Sequence, residues 1–328
     1  MNLSVLDLVP VDGNDHDRNA LNHTIELAKS VDKLGYRRYW IAEHHNLPTV
    51  ASAATETIMN RILSVTSNLR VGSGGIMIPN HSPLRIAESF KTMEAFYPNR
   101  VDLGIGRAPG TDGLTAFALR RSNQPYKAND LDAQLIELFN YDSYHSEVIN
   151  NELSQIRAIP QSVPLPPVYV LGSSVESARL ASQKGLSYVY AYQFNQNDVK
   201  KAVKAYRQET QDQQHQNMIV SVSVIGGQTE EEVHYLKKAA MLKYLNSAGM
   251  IQNVDWNHID EIKLSKQQQL MAESYLQSQL IGTFEELKQK LTHLANELAI
   301  DELMITTTQF GEASRENLYK ALASLITK

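Results

Sequence analysis

The sequence contains no cysteine, which excludes disulfide bonds, thiolate nucleophiles and thiolate metal sites. Its first residues include no basic segment followed by a long apolar one, so we expect neither a secretory leader nor a membrane anchor. The formal net charge is -5, and no basic stripe interleaved with aromatic residues accompanies it, which argues against nucleic acid as a partner. These absences together predict a cytoplasmic protein that acts on neither membranes nor nucleic acids.

Apolar, β-branched runs alternate with amphipathic helical patterns along the whole 328-residue chain, and no linker rich in glycine, serine or proline divides it. This alternation predicts an α/β fold with a parallel sheet, and eight candidate strands are enough to close a (β/α)8 TIM barrel. The candidate strands are residues 3–7, 38–42, 69–73, 101–105, 168–171, 187–191, 219–225 and 303–307. We therefore predict a single barrel domain over residues 1–328.

Two stretches do not fit the alternation: residues 140–167 and the polar, glutamine-rich residues 246–279. Long insertions in a barrel are usually lids or binding loops. A surface excursion with no role in function is the other interpretation, and the sequence does not separate the two.

The most polar strand end is Glu43-His44-His45, which follows an apolar run ending at Ala42. In α/β barrels the catalytic residues lie at the carboxyl ends of the strands. Consecutive strand residues point to opposite faces, so His44 and His45 cannot both face one ligand unless the strand has already ended. We predict that one histidine is catalytic and the other supports it. A structural role for both histidines is the alternative.

Two further strand ends are rich in glycine. Ser73-Gly74-Gly75 lacks side-chain bulk where a flat ring could lie against the backbone, although a plain tight turn explains the same residues. Gly106-Arg107 ends the fourth predicted strand, and the arginine could bind a phosphate through two hydrogen bonds. An ion pair at the barrel rim would use the same arginine. The two segments are thus candidates for contacts with a flat ring and a phosphate.

The segment from Gly172 to Ser177 has the form strand, small turn, helix. Backbone N–H groups and the hydroxyls of Ser173, Ser174 and Ser177 converge there at the positive end of a helix, which resembles a phosphate cradle. A serine N-cap that only stabilises the helix accounts for the same pattern. A dinucleotide fold is disfavoured because residues 104–110 have the spacing G-x-G-x-x-x-G.

Four motifs, in this order and spacing, resemble the bacterial luciferase-like flavin monooxygenase family. They are Ala42-Glu43-His44-His45, residues 71–79, residues 99–107 and Gly172-Ser173-Ser174. The similarity covers most of the chain, is strongest over residues 3–121 and is thin over both insertions. Within the family it is greatest to the uncharacterised luciferase-like oxidoreductases, whose signature includes residues 107–112.

The resemblance implies a barrel that binds reduced FMN at its C-terminal mouth and uses O2 to oxygenate a small organic substrate, such as an aldehyde. It makes His44 the catalytic residue, flanked and oriented by Glu43 and His45. It also implies a cis peptide between Gly74 and Gly75 under the flavin ring. The implied cofactor-binding residues are Ser73, Gly74, Gly75, Gly106, Arg107, Gly172, Ser173, Ser174 and Ser177, with no metal ligand among the site residues.

Two departures from true luciferases argue against light emission. Gly106 stands where luciferases carry a cysteine beside the flavin, and residues 246–279 are only loosely similar to their long loop. The resemblance implies a homodimer, with residues 51–66 and 83–96 as candidate interface helices. Small residues at Ala53 and Ala54 would permit close packing between subunits, or equally against the barrel.

No nicotinamide fingerprint is visible, so we expect a two-component monooxygenase supplied with reduced FMN by a separate flavin reductase. Hydride transfer with a deazaflavin is one alternative, and Glu43-His44-His45 argues against it. A non-catalytic flavin-binding protein is another, and His44 with Arg107 argues against that. A metal-dependent hydrolase is the third, disfavoured because the histidines lack partner carboxylates at readable strand ends.

Overall fold

Every strand predicted from the sequence forms within two residues of its predicted ends, and two short strands, Ile76–Met77 and Leu280–Thr283, are additional. The structure is a computed structural model that describes residues 1–13, 15–121, 130–142, 155–209 and 217–326. The strands are β1 Asn2–Asp7, β2 Arg38–Ile41, β3 Arg70–Ser73, β4 Ile76–Met77, β5 Val101–Gly106, β6 Val168–Gly172, β7 Ser187–Ala191, β8 Met218–Gly227, β9 Leu280–Thr283 and β10 Glu302–Thr306. The helices are α1 Asp17–Leu34, α2 Thr55–Leu63, α3 Pro83–Phe96, α4 Gly113–Arg120, α5 Asp130–Asn140, α6 Val175–Gln183, α7 Val199–Glu209, α8 Glu230–Ser247, α9 Lys266–Leu276, α10 Phe284–Leu298 and α11 Glu312–Leu322.

The main strands pair in the order β1, β2, β3, β5, β6, β7, β8 and β10, and β10 pairs back to β1. All these pairings are parallel; Leu3, for example, is level with Leu303. β4 pairs with β5, and β9 pairs with the C-terminal part of β8. The prediction of a closed (β/α)8 TIM barrel is therefore confirmed, and the carboxyl ends of its strands meet at one mouth.

Trp40 fills the middle of the barrel, and glycines on the neighbouring strands make room for its ring. A Cβ on Gly72 would lie 2.5 Å from Trp40 Nε1, and one on Gly104 would lie 3.0 Å from Trp40 Cζ3. The Trp40 ring meets Tyr169 edge to face, with 4.9 Å between ring centroids. Interior glycines are thus required by packing at this level, independently of any ligand.

An ion network closes the N-terminal end of the barrel. The guanidinium of Arg38 donates to Asp102 Oδ2 (2.6 Å) and to Glu302 Oε1 (2.7 Å), and all three side chains are buried. Arg70 donates to Asp102 Oδ1 (2.6 Å), and Ser4 Oγ donates to Glu302 Oε1 (2.6 Å). Burial alone would lower the pKa of Arg38, but the two carboxylates raise it above its ordinary value, so the guanidinium stays charged.

Helix ends carry the residues that satisfy free backbone groups. α1 ends at Gly35, whose φ of 86° is the left-handed conformation that favours glycine. Thr283 opens α10 with a capping box completed by Glu286. In the part of the chain described here, no helix combines the length and apolar character needed to cross a membrane.

The second insertion packs over loops at the C-terminal end of the barrel. Trp256 stacks on Phe310, with ring centroids 5.5 Å apart, and a Cβ on Gly13 would lie 2.3 Å from the Trp256 ring. α9 lies within the same insertion, and its Tyr275 stacks on Tyr244 of α8 at 4.5 Å. Of the first insertion, residues 143–154 lie outside the described residues.

Candidate active site

The Glu43-His44-His45 segment begins after β2 has ended at Ile41. The alternation of a strand therefore does not apply to the two histidines, as the sequence argument required if both were to serve one site. Glu43 is only 1% exposed, whereas His44 and His45 are half-buried. The segment thus places a buried carboxylate under two more accessible imidazoles.

Glu43 is the centre of a hydrogen-bond cluster. His45 Nε2 lies 2.9 Å and His81 Nε2 lies 2.8 Å from the same oxygen, Oε1. The backbone N–H of Met77 donates to the other oxygen, Oε2, at 2.9 Å. Burial acts to raise the pKa of Glu43, but the hydrogen bonds from His81, Met77 and His45 outweigh it and lower the pKa. Glu43 is consequently ionised near neutral pH and fixes both rings through Nε2–H.

The contacts of Glu43 differ from those that the family resemblance implies. The carboxylate holds His45 and His81, and the hydrogen bond of His44 is instead with the backbone of Gly110. Burial lowers the pKa of His44, and this hydrogen bond opposes the shift without reversing it. His44 is therefore a neutral imidazole at pH 7, able to take up a proton.

His81 was missed by the sequence analysis. It follows the short turn Ile78–Asn80, and Asn80 Nδ2 donates to the carbonyl of Pro109 (2.8 Å), which ties this turn to the loop after β5. The only sequence signal is a histidine a few residues after the Gly74-Gly75 pair. Such a signal gives no direction for the side chain, because the turn between them has no regular period.

The prediction that the histidines after β2 lack a partner carboxylate is wrong for His45, which Glu43 contacts, and Glu43 also contacts His81. Ligand atoms of Glu43, His45 and His81 all lie within 4.8 Å of one another, close enough to hold a metal ion. The hydrogen bonds among them already satisfy the carboxylate, so the arrangement requires no metal. A second group with suitable atoms consists of Asp15 in the loop after β1, His23 on α1 and Glu312 at the start of α11.

The glycine surface beside this cluster has the cis peptide between Gly74 and Gly75 that the resemblance implies. A Cβ on Gly74 would lie 2.3 Å from Leu6 Cδ1, and one on Gly75 would lie 2.7 Å from the carbonyl oxygen of Gly104. The Ser73 hydroxyl is buried and joins β3 to β5, donating to the Gly104 carbonyl (2.8 Å) and accepting from the Gly104 N–H (3.0 Å). The Ser73 side chain is thus committed to the barrel wall, while the half-exposed backbone at Gly74 offers a flat surface.

The turn before α6 is partly committed to its own helix. Ser174 is the N-cap, and its hydroxyl accepts from the Ser177 N–H (3.2 Å). The Ser177 hydroxyl bonds the Tyr188 hydroxyl (2.7 Å), and a Cβ on Gly172 would lie 2.2 Å from Ser177 Oγ. Ser174 and Ser177 therefore stabilise the start of α6. Ser173 is half-buried, and among the described residues its hydroxyl makes no hydrogen bond that stabilises the helix.

An acidic side chain lies in the first turn of α6. Glu176 is exposed there, and its own backbone N–H and the Ser174 hydroxyl lower the pKa of its carboxyl group. Arg107 is exposed, and within the described ranges no ion pair involves it, so the rim ion pair considered from the sequence is not found. Burial raises the pKa of Tyr188, and the charge of Arg107 is among the groups opposing that rise. Gly106 is level with Leu171 across β5 and β6, so Arg107 leaves β5 beside the turn that follows β6.

Replacing His81 by alanine should lower the free energy of unfolding by about 1.5 to 3 kcal/mol near pH 6, because buried Glu43 loses a charged donor. Burial acts to lower the pKa of His81, but the hydrogen bond and charge of Glu43 raise it above the ordinary 6.5. The stabilisation is therefore complete below pH 6.5 and is lost as pH rises through the raised pKa. Urea unfolding of both proteins from about pH 5.5 to about pH 9 should show the difference shrinking.

The control is His81→Gln, which keeps a neutral donor of similar reach. His81→Gln should be more stable than His81→Ala, and the difference in unfolding free energy between these two variants should not change with pH. A difference between wild type and His81→Ala that does not change with pH would contradict a titration of His81 within this range.

A parallel barrel with a histidine–carboxylate cluster and a serine-rich helix start at its C-terminal mouth has the arrangement of a TIM-barrel enzyme. The family described as luciferase-like monooxygenase matches residues 1–302, and the chain belongs to that family of flavin-dependent monooxygenases. The uncharacterised protein YvbT of Bacillus subtilis is 37% identical over 98% of this chain and 96% of its own. A luciferase-like monooxygenase of Escherichia coli is 32% identical over 95% of this chain and 93% of its own. The N-acetyl-S-alkylcysteine monooxygenase of Bacillus subtilis is 28% identical over 99% and 98%.

Solved structures share the fold over nearly the whole chain. Apo-MsnO8 superposes with a TM-score of 0.86 at 30% identity, covering 98% of this chain and 97% of that one. The oxygenating constituent of the 3,6-diketocamphane monooxygenase of Pseudomonas putida, in complex with FMN, gives 0.72 at 15% identity, covering 98% and 97%. An F420-dependent secondary alcohol dehydrogenase gives 0.67 at 15% identity, covering 98% and 98%. The last two likenesses concern the fold alone.

Proposed function

We propose that this protein is an FMN-dependent monooxygenase that uses reduced FMN and O2 to oxygenate a small organic substrate. The observation that carries the proposal is the convergence, at one barrel mouth, of an anion-binding turn, a flat glycine backbone and a neutral histidine. Arg107 and the N-terminus of α6 suit a phosphate, and the Gly74-Gly75 backbone suits a planar ring. His44 lies at the same end of the barrel.

The charge preference at the start of α6 fits the phosphate of FMN. Glu176 lies in the first turn of α6, where the pKa of its carboxyl group is lowered, so the start of this helix favours negative charge. A phosphate would displace Glu176 and gain Arg107, which has no competing ion pair within the described ranges. Ser173, Ser174 and the backbone N–H groups of the turn would complete its contacts.

Each part of the mouth then has a role in the proposed reaction. Bound reduced FMN would supply the electrons that activate O2. His44, with its lowered pKa, would take up and return a proton at the reacting end. Glu43 would hold the His45 ring in one orientation and tautomer. The second insertion, through Trp256 and its neighbours, would limit the entry of water.

Reduced flavin is proposed to come from a separate reductase, because the sequence has no nicotinamide fingerprint. The name of the N-acetyl-S-alkylcysteine relative supports trying thioethers beside aldehydes as substrates. Deazaflavin-dependent hydride transfer is the second candidate, supported by the F420-dependent enzyme of the same fold. Titration of the purified protein with FMN and with F420, followed by mass analysis of the retained chromophore, separates the two. Retention of F420 alone would contradict the proposal.

We also propose that the chain forms a single domain and a cytoplasmic homodimer. Three small residues of the predicted interface, Ala53, Ala54 and Thr57, are exposed, so they do not pack against the barrel. That leaves the start of α2 open to a second subunit. Sedimentation of the purified protein tests the homodimer, and a monomer at all concentrations would contradict it.

Replacing Arg107 by alanine should weaken FMN binding about 10- to 100-fold, the range for losing a hydrogen bond to a charged group. Riboflavin lacks the phosphate, so its affinity should barely change. Calorimetric titration with both flavins measures the two effects. Equal losses for FMN and riboflavin would show that Arg107 does not bind the phosphate.

Glu176→Ala provides a matched variant of opposite sign at the same turn. It removes the carboxylate that occupies the start of α6, so FMN binding should tighten while riboflavin binding stays the same. If both variants weaken FMN, the turn is disturbed structurally and the Arg107 result carries no weight.

A further inference from the structure

The wall formed by β8 and β10 lies across the barrel from the glycine surface. In the closed order of eight strands, β8 is opposite β3 and β10 is opposite β5. A ligand seated in the mouth with one face on Gly74-Gly75 therefore has the β8–β10 wall on its other side. None of the residues proposed to bind FMN belongs to β8 or β10.

Three hydroxyl side chains of this wall point into the barrel. Strand register sets Met304 level with Ser221 and Thr306 level with Ser223. Met304 belongs to the interior cluster with Trp40, and side chains two residues apart on a strand share a face. Ser221, Ser223 and Thr306 therefore share the inward face with Met304.

Two of these hydroxyls are buried without a partner. Ser221 is 1% and Thr306 is 5% exposed, and among the described residues neither hydroxyl has a hydrogen-bond partner. Ser223 Oγ contacts Gln279 Oε1 at 3.3 Å, and the shielded Gln193 Oε1, just beyond β7, is likewise without a described partner. Buried polar side chains nearly always bond to a protein group or to ordered water, so these atoms are available to bind a polar group that enters the barrel.

The unused groups are all neutral. Hydroxyl and amide side chains can donate to a carbonyl and accept from an amide N–H, and they offer no charge to balance an anion or a cation. The side of the interior formed by β1 and β2 is apolar, with Leu6 on β1 and with Leu8 and Ala42 just beyond the ends of these strands. The mouth thus has an apolar side next to the histidines and a neutral hydrogen-bonding side across from the glycine surface.

We infer that the β8–β10 wall, formed by Ser221, Ser223 and Thr306, binds an uncharged hydrogen-bonding group of the substrate, such as an amide or ketone carbonyl. This inference rests on the proposed function, because it places the substrate between the wall and the flavin. Substrates whose inner end is a carboxylate, a phosphate or an ammonium group are disfavoured, since the wall would bury their charge unpaired. The apolar side accommodates the remaining carbon chain.

The test uses three probes of equal chain length: hexanamide, hexanoate and hexylammonium. Each is titrated into the protein saturated with FMN, and binding is followed by calorimetry and by the change in flavin absorbance. Hexanamide should bind at least about tenfold more tightly than either charged probe. Thr306→Val and Ser221→Ala should each weaken hexanamide about three- to tenfold and leave FMN affinity unchanged. The matched control is Ser324→Ala, which removes an exposed serine hydroxyl distant from the barrel interior.

Each of the other outcomes contradicts either this inference or the proposed function. If hexanamide binds no better than hexanoate, or if Thr306→Val leaves its affinity unchanged, the hydroxyls serve only bound water and the inference is wrong. If Thr306→Val lowers FMN affinity instead, the wall belongs to the flavin and not to the substrate. If wild-type protein does not bind FMN at all, the proposed function fails first, and that result is visible before any probe is added.

Discussion

Replacing His44 by alanine is expected to lower oxygenation by about two to four decades while the barrel stays folded. The reaction needs a group of near-neutral pKa that can move a proton at the reacting end, and the lowered pKa of His44 leaves its imidazole neutral and ready to accept one. FMN affinity should stay within a few fold, because His44 is proposed to act at the reacting end of the flavin and not on its phosphate. The measurement is oxygenated product per reduced flavin in a single turnover, with hydrogen peroxide counted as the uncoupled leak.

His45→Ala is the matched comparison within the same segment. Its ring is held by Glu43, so its loss should reduce turnover less than the loss of His44. If His44→Ala keeps wild-type coupling while His45→Ala uncouples, the roles within the pair are reversed. If neither variant changes coupling, the cluster is structural and the monooxygenase proposal loses its chemical centre.

Replacing Arg38 by alanine is expected to lower the free energy of unfolding by about 3 to 5 kcal/mol, the cost of leaving buried charges without their partner. Asp102 and Glu302 would each lose a short hydrogen bond to the guanidinium in a region that water does not reach. This loss of stability arises at the N-terminal end of the barrel, opposite the mouth where FMN is proposed to bind. Chemical unfolding followed by circular dichroism measures it, and FMN binding of the folded fraction should not change.

Arg37→Ala is a matched control one residue away. Arg37 contacts the same Glu302 at 3.2 Å but is 40% exposed, so its removal should cost no more than about 1 kcal/mol. A second variant, Arg38→Met with Asp102→Asn and Glu302→Gln, should recover much of the stability, because it removes the buried charges together. Equal losses for Arg37→Ala and Arg38→Ala would contradict the account of this network.

The fold was predictable because its signals are local and repeated. Each strand run is short, apolar and followed by a helical pattern, so all eight main strands were placed within two residues of their observed ends. β4 and β9 were missed. β4 has only two residues, Ile76 and Met77, and β9 lies where the polar second insertion rejoins the repeat. Neither presents a period long enough to recognise.

The candidate site was predictable in location but not in contacts. The sequence placed Glu43-His44-His45 at a strand end, yet His81 reaches Glu43 from 38 residues away through a turn without a regular period. Ser73 shows why residue type alone does not give the contacts. Its small side chain suggests a ligand surface, and in the structure its hydroxyl joins β3 to β5 through the backbone of Gly104. Small residues at strand ends serve packing and binding alike, and only the three-dimensional neighbours separate the two.

The measurement that tests the central claim most directly is a crystal structure of this protein soaked with FMN. The account predicts the phosphate on Arg107 and the N-terminus of α6, with the Glu176 carboxylate displaced, and the ring against Gly74-Gly75 with its other face toward the β8–β10 wall. FMN bound elsewhere, or a phosphate that leaves Arg107 free, would contradict the proposed site.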